Sequence, residues 1–145
     1  MSRVALRFPR KAKALLYGNI LLSFCTGVVW FALHRWGKVE GEFGTEFNPL
    51  EPWLLKIHGA SAFLAMMGFG YLLATHVHVG WRSRRNRRLG MTLVGTVALL
   101  MLSGYLLYYS AGEDFRSAVS WVHLGLGVSL PLTLGTHVWL GHRRR

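Results

Sequence analysis

The chain has 145 residues, the size of one domain, and is 52% hydrophobic and 13% aromatic with a formal net charge of +11. A soluble protein this basic would suit nucleic acid, but the charge lies between long apolar blocks rather than along one face, which argues against that partner. The lone Cys25 excludes a disulfide framework and a CxxCH haem attachment.

In chain order, a basic N-terminus (Arg3, Arg7, Arg10, Lys11, Lys13) leads into a first apolar block over 14–33. That block is too long for a cleaved signal peptide and no A-x-A-like site follows, so it is expected to be a retained anchor. Residues 34–53 form the longest connection, acidic and rich in Gly, Pro and aromatics, as an exposed loop at a membrane interface would be. A second block covers 53–80, and the short loop RSRRNRR carries Arg82, Arg84, Arg85, Arg87 and Arg88. A third block follows over 89–109, then SAGEDFRSA, then a fourth block over 119–141 and a tail ending in Arg143, Arg144 and Arg145. Each block is about 20 residues or longer, enough for a helix to cross about 30 Å of hydrocarbon.

All six acids (Glu40, Glu42, Glu46, Glu51, Glu113 and Asp114) fall in the other two connections. Basic segments stay cytoplasmic, so both termini are expected inside and the acidic loops outside, with the arginines against anionic lipid. Short connections make consecutive helices antiparallel neighbours. The expected fold is all-α: a four-helix up-down-up-down membrane bundle forming a single transmembrane domain.

Ionisable groups within spans are functional candidates because the bilayer penalises them. Of seven histidines, His34 and His142 lie at span ends and read as interfacial. His58 and His123 lie near the outer ends of spans two and four; His76 and His137 lie near the inner ends. At about 100° per residue, the 18 steps from His58 to His76 are five turns and the 14 from His123 to His137 rotate by about −40°, so each pair shares a face. His78 comes out about 200° from His58 and is the alternative to His76, the more so if span two kinks near Gly68 or Gly70. A lone histidine in a membrane usually bonds a neighbouring helix; four at two matching levels point further.

An imidazole from each of two helices suits a haem b, whose iron takes two axial histidines while its apolar ring fills the bundle. Zinc fits less well, because it draws four ligands to one point, whereas the two levels stand about 21–27 Å apart. A proton relay would add intramembrane carboxylates, and the spans hold none. Two stacked haems are expected, with iron ligated by His58 and His123 outside and by His76 and His137 inside. Ala62 and Ala65 share the face of His58 and leave room for a flat macrocycle; Phe69 lies between the levels, and Gly127 sits one turn from His123. Close helix packing is the competing reason for the small residues. Pro131 can kink span four between its histidines. Lys56 and Arg116 outside, and Arg82 and Arg84 inside, are candidates for the haem propionates, with snorkelling as the plainer role.

HGASAF at 58–63, ATHVHVGW at 74–81 and the pair WVHLGLG and LGTHVWLGH across 121–142 resemble the small four-helix di-haem cytochromes b of bacterial inner membranes. These are the cytochrome b561-like families and relatives of the cytochrome b subunits of formate dehydrogenases. The resemblance covers spans two to four and hardly touches span one. It implies two bis-histidine haems b and transmembrane electron transfer, often with quinol as one redox partner. Together the residues and the resemblance suggest an electron-transfer subunit of a bacterial inner membrane working between quinone or quinol and a redox protein. A periplasmic cytochrome c or a larger oxidoreductase complex would suit the latter role. The alternatives are a non-redox scaffold whose histidines only bond between helices and a carrier of metal or protons. Tyr105, Tyr108 and Tyr109 could line a quinone pocket, although an aromatic belt explains them more simply.

Overall fold

The computed structural model describes residues 9–83 and 86–143. Arg3, Arg7, Arg84, Arg85, Arg144 and Arg145, counted among the basic segments above, lie outside them. The chain is mostly helical: α1 (Arg10–Trp36), α2 (Glu51–Leu72), a π-helical turn (Leu73–Val77), α3 (His78–Ser83), α4 (Arg87–Tyr109) and α5 (Glu113–Arg143). Four helices are long and apolar enough to cross a membrane: Arg10–Trp36, Glu51–Arg82, Arg87–Tyr109 and Glu113–Arg143. At most ends they reach a few residues past the expected spans.

Local chemistry explains the ends. α1 stops at Gly37, whose N–H donates to the Leu33 carbonyl at 2.7 Å. α2 starts with a reciprocal box: Asn48 Oδ1 accepts from Leu50 N at 3.0 Å, and Glu51 Oε1 accepts from Asn48 N at 3.3 Å. Asn86, at φ 50°, turns the chain into α4. Glu113 and Asp114 occupy the first turn of α5, where the helix dipole favours negative charge.

Two features depart from the sequence reading. The loop over 34–53 contains an antiparallel hairpin, β1 (Val39–Gly41) and β2 (Gly44–Glu46), with Gly41 opposite Gly44. Gly44 has φ +116°, a conformation that needs glycine, and so closes the turn. The irregularity in the second long helix is not at Gly68 or Gly70, both inside α2, but at the π turn that holds His76. Pro131 lies within α5, which continues to Arg143.

The chain divides into two compact units, one with described residues 9–67 and the other with 68–83 and 86–143. In the first, α1 and α2 run antiparallel, since His34 meets Glu51, Gly27 meets His58 and Ser23 meets Ser61. In the second, α4 and α5 do the same: Gly104 meets His123 and Gly90 meets His137. Burial is inverted relative to a soluble core. Among the described residues the buried set is Thr26, Glu51, Ser61, Thr96, Ser103 and Val119, while large residues such as Leu15, Met67, Phe63 and Leu132 are exposed. Small hydroxyl residues between helices with large apolar ones outside is the pattern that lipid imposes.

Candidate functional site

His58 sits in a notch on α1. A Cβ on Gly27 would stand 2.9 Å from its Cε1 and 3.2 Å from its Nδ1, so only glycine admits the ring at this approach. The ring is then fixed by hydrogen bonds. Its Nδ1–H donates to the Ser23 carbonyl at 2.9 Å and also faces Thr26 Oγ1 at 3.3 Å, whose own hydrogen goes to the Leu22 carbonyl at 2.7 Å. The seat is braced one turn further along: Ser61 Oγ donates to the His58 carbonyl at 2.8 Å, Ser23 Oγ donates to Ser61 Oγ at 2.6 Å, and Asn19 Nδ2 donates to the Ser61 carbonyl at 3.0 Å. Ser61 is 2% exposed, so these bonds are protected from competing solvent.

His123 repeats the device in the other unit. A Cβ on Gly104 would stand 3.5 Å from its Cε1. Ser103 Oγ lies 2.8 Å from its Nδ1 and donates its single hydrogen to the Leu99 carbonyl at 2.7 Å. With that hydrogen on the carbonyl, the hydroxyl accepts from His123, whose proton is then assigned to Nδ1. The network thus assigns one tautomer to both His58 and His123: hydrogen on Nδ1, lone pair on Nε2. A backbone carbonyl or hydroxyl accepting from one ring nitrogen orients a ligating imidazole and raises the basicity of the other nitrogen.

At the opposite end of the α4–α5 pair, His137 lies against Gly90, whose Cβ would be 3.7 Å from its Cε1. Its ring centre is 6.2 Å from that of His76, with the planes at 80°. Two imidazoles on opposite sides of one metal ion, each bonded at about 2.0–2.1 Å with the ring centre about 1.1 Å behind the nitrogen, stand about 6.3 Å apart. The His76 and His137 ring centres stand at about that spacing, in an edge-on contact with each other. Leu89 precedes Gly90 where Thr26 and Ser103 precede the other two glycines, and His137 Nδ1 is buried with no hydrogen-bond partner. His78 is exposed, one residue beyond the π turn.

The remaining candidates fall as follows. Ala62, Ala65 and Phe69 are half-buried on the second long helix. Gly127 is half-buried, and a Cβ there would meet nothing within 4 Å, so close helix packing does not explain this glycine. Lys56 is exposed, with Nζ 4.6 Å from the Trp53 ring centre; Arg116 and Arg82 are exposed as well. Tyr105, Tyr108 and Tyr109 form an exposed cluster, with ring centres 4.7 Å (Tyr105–Tyr109) and 5.6 Å (Tyr108–Tyr109) apart. Among the described residues no three His, Cys, Asp or Glu side chains converge, so the ligand chemistry on offer is imidazole singly or in pairs.

Sequence reasoning missed the partners of the histidines, which lie on the helices that carry no intramembrane candidate. A hydroxyl residue followed by glycine, Thr26-Gly27 and Ser103-Gly104, is the signal that marks them. It also missed His34. The Nδ1–H of His34 donates to Glu51 Oε2 at 2.8 Å, and the ring is stacked between Trp30 (4.7 Å, 15°) and Phe47 (4.9 Å, 3°). The chain matches no protein-family model, no curated protein and no solved structure.

Proposed function

We propose that the protein is a b-type di-haem cytochrome of a bacterial inner membrane, multi-pass with both termini cytoplasmic. It would transfer electrons across the bilayer between quinone or quinol and a redox protein partner. His58 and His123 are the proposed axial ligands of the outer haem, a pairing that rests on their matched depth in the sequence. His76 and His137 are the proposed ligands of the inner one. The observation that carries the reading is the hydrogen bonding of Nδ1 in both His58 and His123, to the Ser23 carbonyl and to Ser103 Oγ.

Haem iron, when bound, accepts and returns single electrons. The chain's own work is to hold it. Ser23 O and Ser103 Oγ hold the Nδ1 edges of the two rings, Gly27 and Gly104 let the rings approach, and Ala62, Ala65, Phe69 and Gly127 would line the macrocycle. Lys56, Arg116 and Arg82 would be the partners of the propionates.

The hydrogen bonds of His58 to α1 and of His123 to α4 also tie helices together, which supports the rival reading of a redox-inert scaffold. Colour separates the two, because a scaffold purifies without a Soret band. Within the haem reading, Ser103→Ala removes the acceptor for His123 Nδ1–H and makes the imidazole a weaker donor to iron(III). A redox titration is expected to show one haem raised by about 30–60 mV, within the tenfold-per-59-mV scale of a one-electron couple. Ser103→Thr, which keeps the hydroxyl and its bond to the carbonyl four residues back, restores the parent value. An unmoved potential in Ser103→Ala would contradict the role given to this hydrogen bond.

A further inference from the structure

The His34–Glu51 pair is built as a general base. The carboxylate of Glu51 accepts the Nδ1–H of His34 at 2.8 Å, which leaves the lone pair of that ring on Nε2. A carboxylate that orients an imidazole and stabilises its protonated form is the arrangement by which a histidine takes up a proton. Glu51 is 6% exposed and anchored by the Asn48 box at the start of α2, whereas the His34 side chain is 45% exposed. The base is therefore held from within and reachable from without. Trp30 and Phe47 clamp both faces of the ring, and Lys38 Nζ stands over Phe47 at 5.5 Å.

Its position is as informative as its chemistry. His34 is seven residues beyond Gly27 on α1, and Glu51 is seven residues before His58 on α2. Seven residues are close to two turns, so the pair lies on the same helix–helix face as His58 and about 10 Å further along the axis. The rings of Trp36, Phe43, Phe47 and Trp53, at the facing ends of α1 and α2 and in the connection between them, are exposed and offer apolar surface to a flat ring.

We infer that His34 and Glu51 are the proton-accepting dyad for a hydroquinone oxidised at the outer face, with His34 Nε2 receiving the phenolic proton. This deepens the electron-transfer reading and rests on it. Oxidation of a hydroquinone breaks two O–H bonds and releases two protons and two electrons. Each proton passes to His34 Nε2 and on to external water, and the two electrons would reduce two iron(III) centres to iron(II), one electron to each of the two proposed haems.

The test uses the purified full chain loaded with haem and tetramethylhydroquinone as reductant. His34→Phe keeps an aromatic ring in the stack; Glu51→Gln removes the charge and keeps one oxygen that can accept the Nδ1–H, at the expense of the longer bond from Asn48 N. Reduction by tetramethylhydroquinone should slow about 100-fold or more in His34→Phe, in the range general-base removal produces, and by a smaller factor of about 10-fold in Glu51→Gln, where the base itself remains. Haem content and reduction by dithionite, which needs no base, should be unchanged. Independently of turnover, the redox-inert 4-methoxy-tetramethylphenol should bind the parent at least tenfold more tightly than His34→Phe. Haem retained, with hydroquinone rates within twofold of the parent in both variants, would overturn the inference. So would analogue binding unaffected by His34→Phe. A parent chain that takes up no haem would instead overturn the electron-transfer reading beneath it.

Discussion

Gly27→Val is expected to abolish the outer haem while leaving the inner one in place, although α1 carries none of the four proposed ligands. A bare Cβ at position 27 already falls 2.9 Å from Cε1 of His58, below any distance real side chains adopt, and valine adds two methyl groups beyond it. The ring has little freedom to retreat, because its Nδ1–H is held by the Ser23 carbonyl at 2.9 Å in a seat braced by Ser61. Overpacking of this kind costs about 1–3 kcal/mol if the surroundings yield. Yielding here means rotating the imidazole off its hydrogen bond, so the cost falls on the ligand geometry. Gly18→Val is the control: it places the same side chain on the same helix where a Cβ meets nothing within 4 Å. The measurement is haem per chain and the reduced spectrum of both variants. Haem loss in Gly27→Val alone is the expected result, and equal haem content in the two would show that the notch has no bearing on cofactor binding.

His76→Ala is expected to remove the inner haem and His78→Ala to spare it. The two residues are two positions apart on one helix, and both are exposed. It is the ring of His76 that stands 6.2 Å from that of His137, close to the spacing two imidazoles take across one metal ion. Removing one of two axial ligands from a haem that is not covalently attached leaves the iron with a single protein bond, and the haem is expected to be lost on purification. Haem content and the low-spin spectrum report the outcome. Loss in His78→Ala with retention in His76→Ala would transfer the ligand role to His78.

The preference for His76 shows how far periodicity can carry a reading. Eighteen steps at about 100° place His76 under His58 only in an unbroken α-helix. The π turn over Leu73–Val77 takes in an extra residue and rephases the helix just where His76 lies, so the five-turn count no longer applies there. The reason to propose His76 is instead its ring contact across to α5. Nothing in LLATHVHVGW announces a π turn, because the backbone pattern depends on what the turn packs against rather than on residue type.

The long helices were legible because apolar length is a local property, and the blocks needed no partner to be seen. The histidines stood out as candidates because imidazole is rare in such blocks. Tertiary pairing was not. Ser23, Thr26 and Gly27 sit 31 to 35 positions from His58, and Ser103 and Gly104 lie 19 or 20 from His123. Their meaning depends on which helix faces which. Glu51 shows the same limit: among six acids in outer loops it reads as topology, yet it is 6% exposed and bonded to a histidine 17 positions earlier. The hairpin over Val39–Glu46 is held by backbone pairing and a glycine at positive φ, and VEGEFGTE lacks the alternating apolar pattern that marks a strand.

The most direct test of the central claim is haem stoichiometry. The purified chain, expressed with ample haem supply, is assayed by a dithionite-reduced minus oxidised spectrum and by pyridine haemochrome. Two haems b per chain are expected, falling to one in His58→Ala and to one, with a different residual spectrum, in His137→Ala. A colourless chain, or haem content unchanged in both variants, would contradict it.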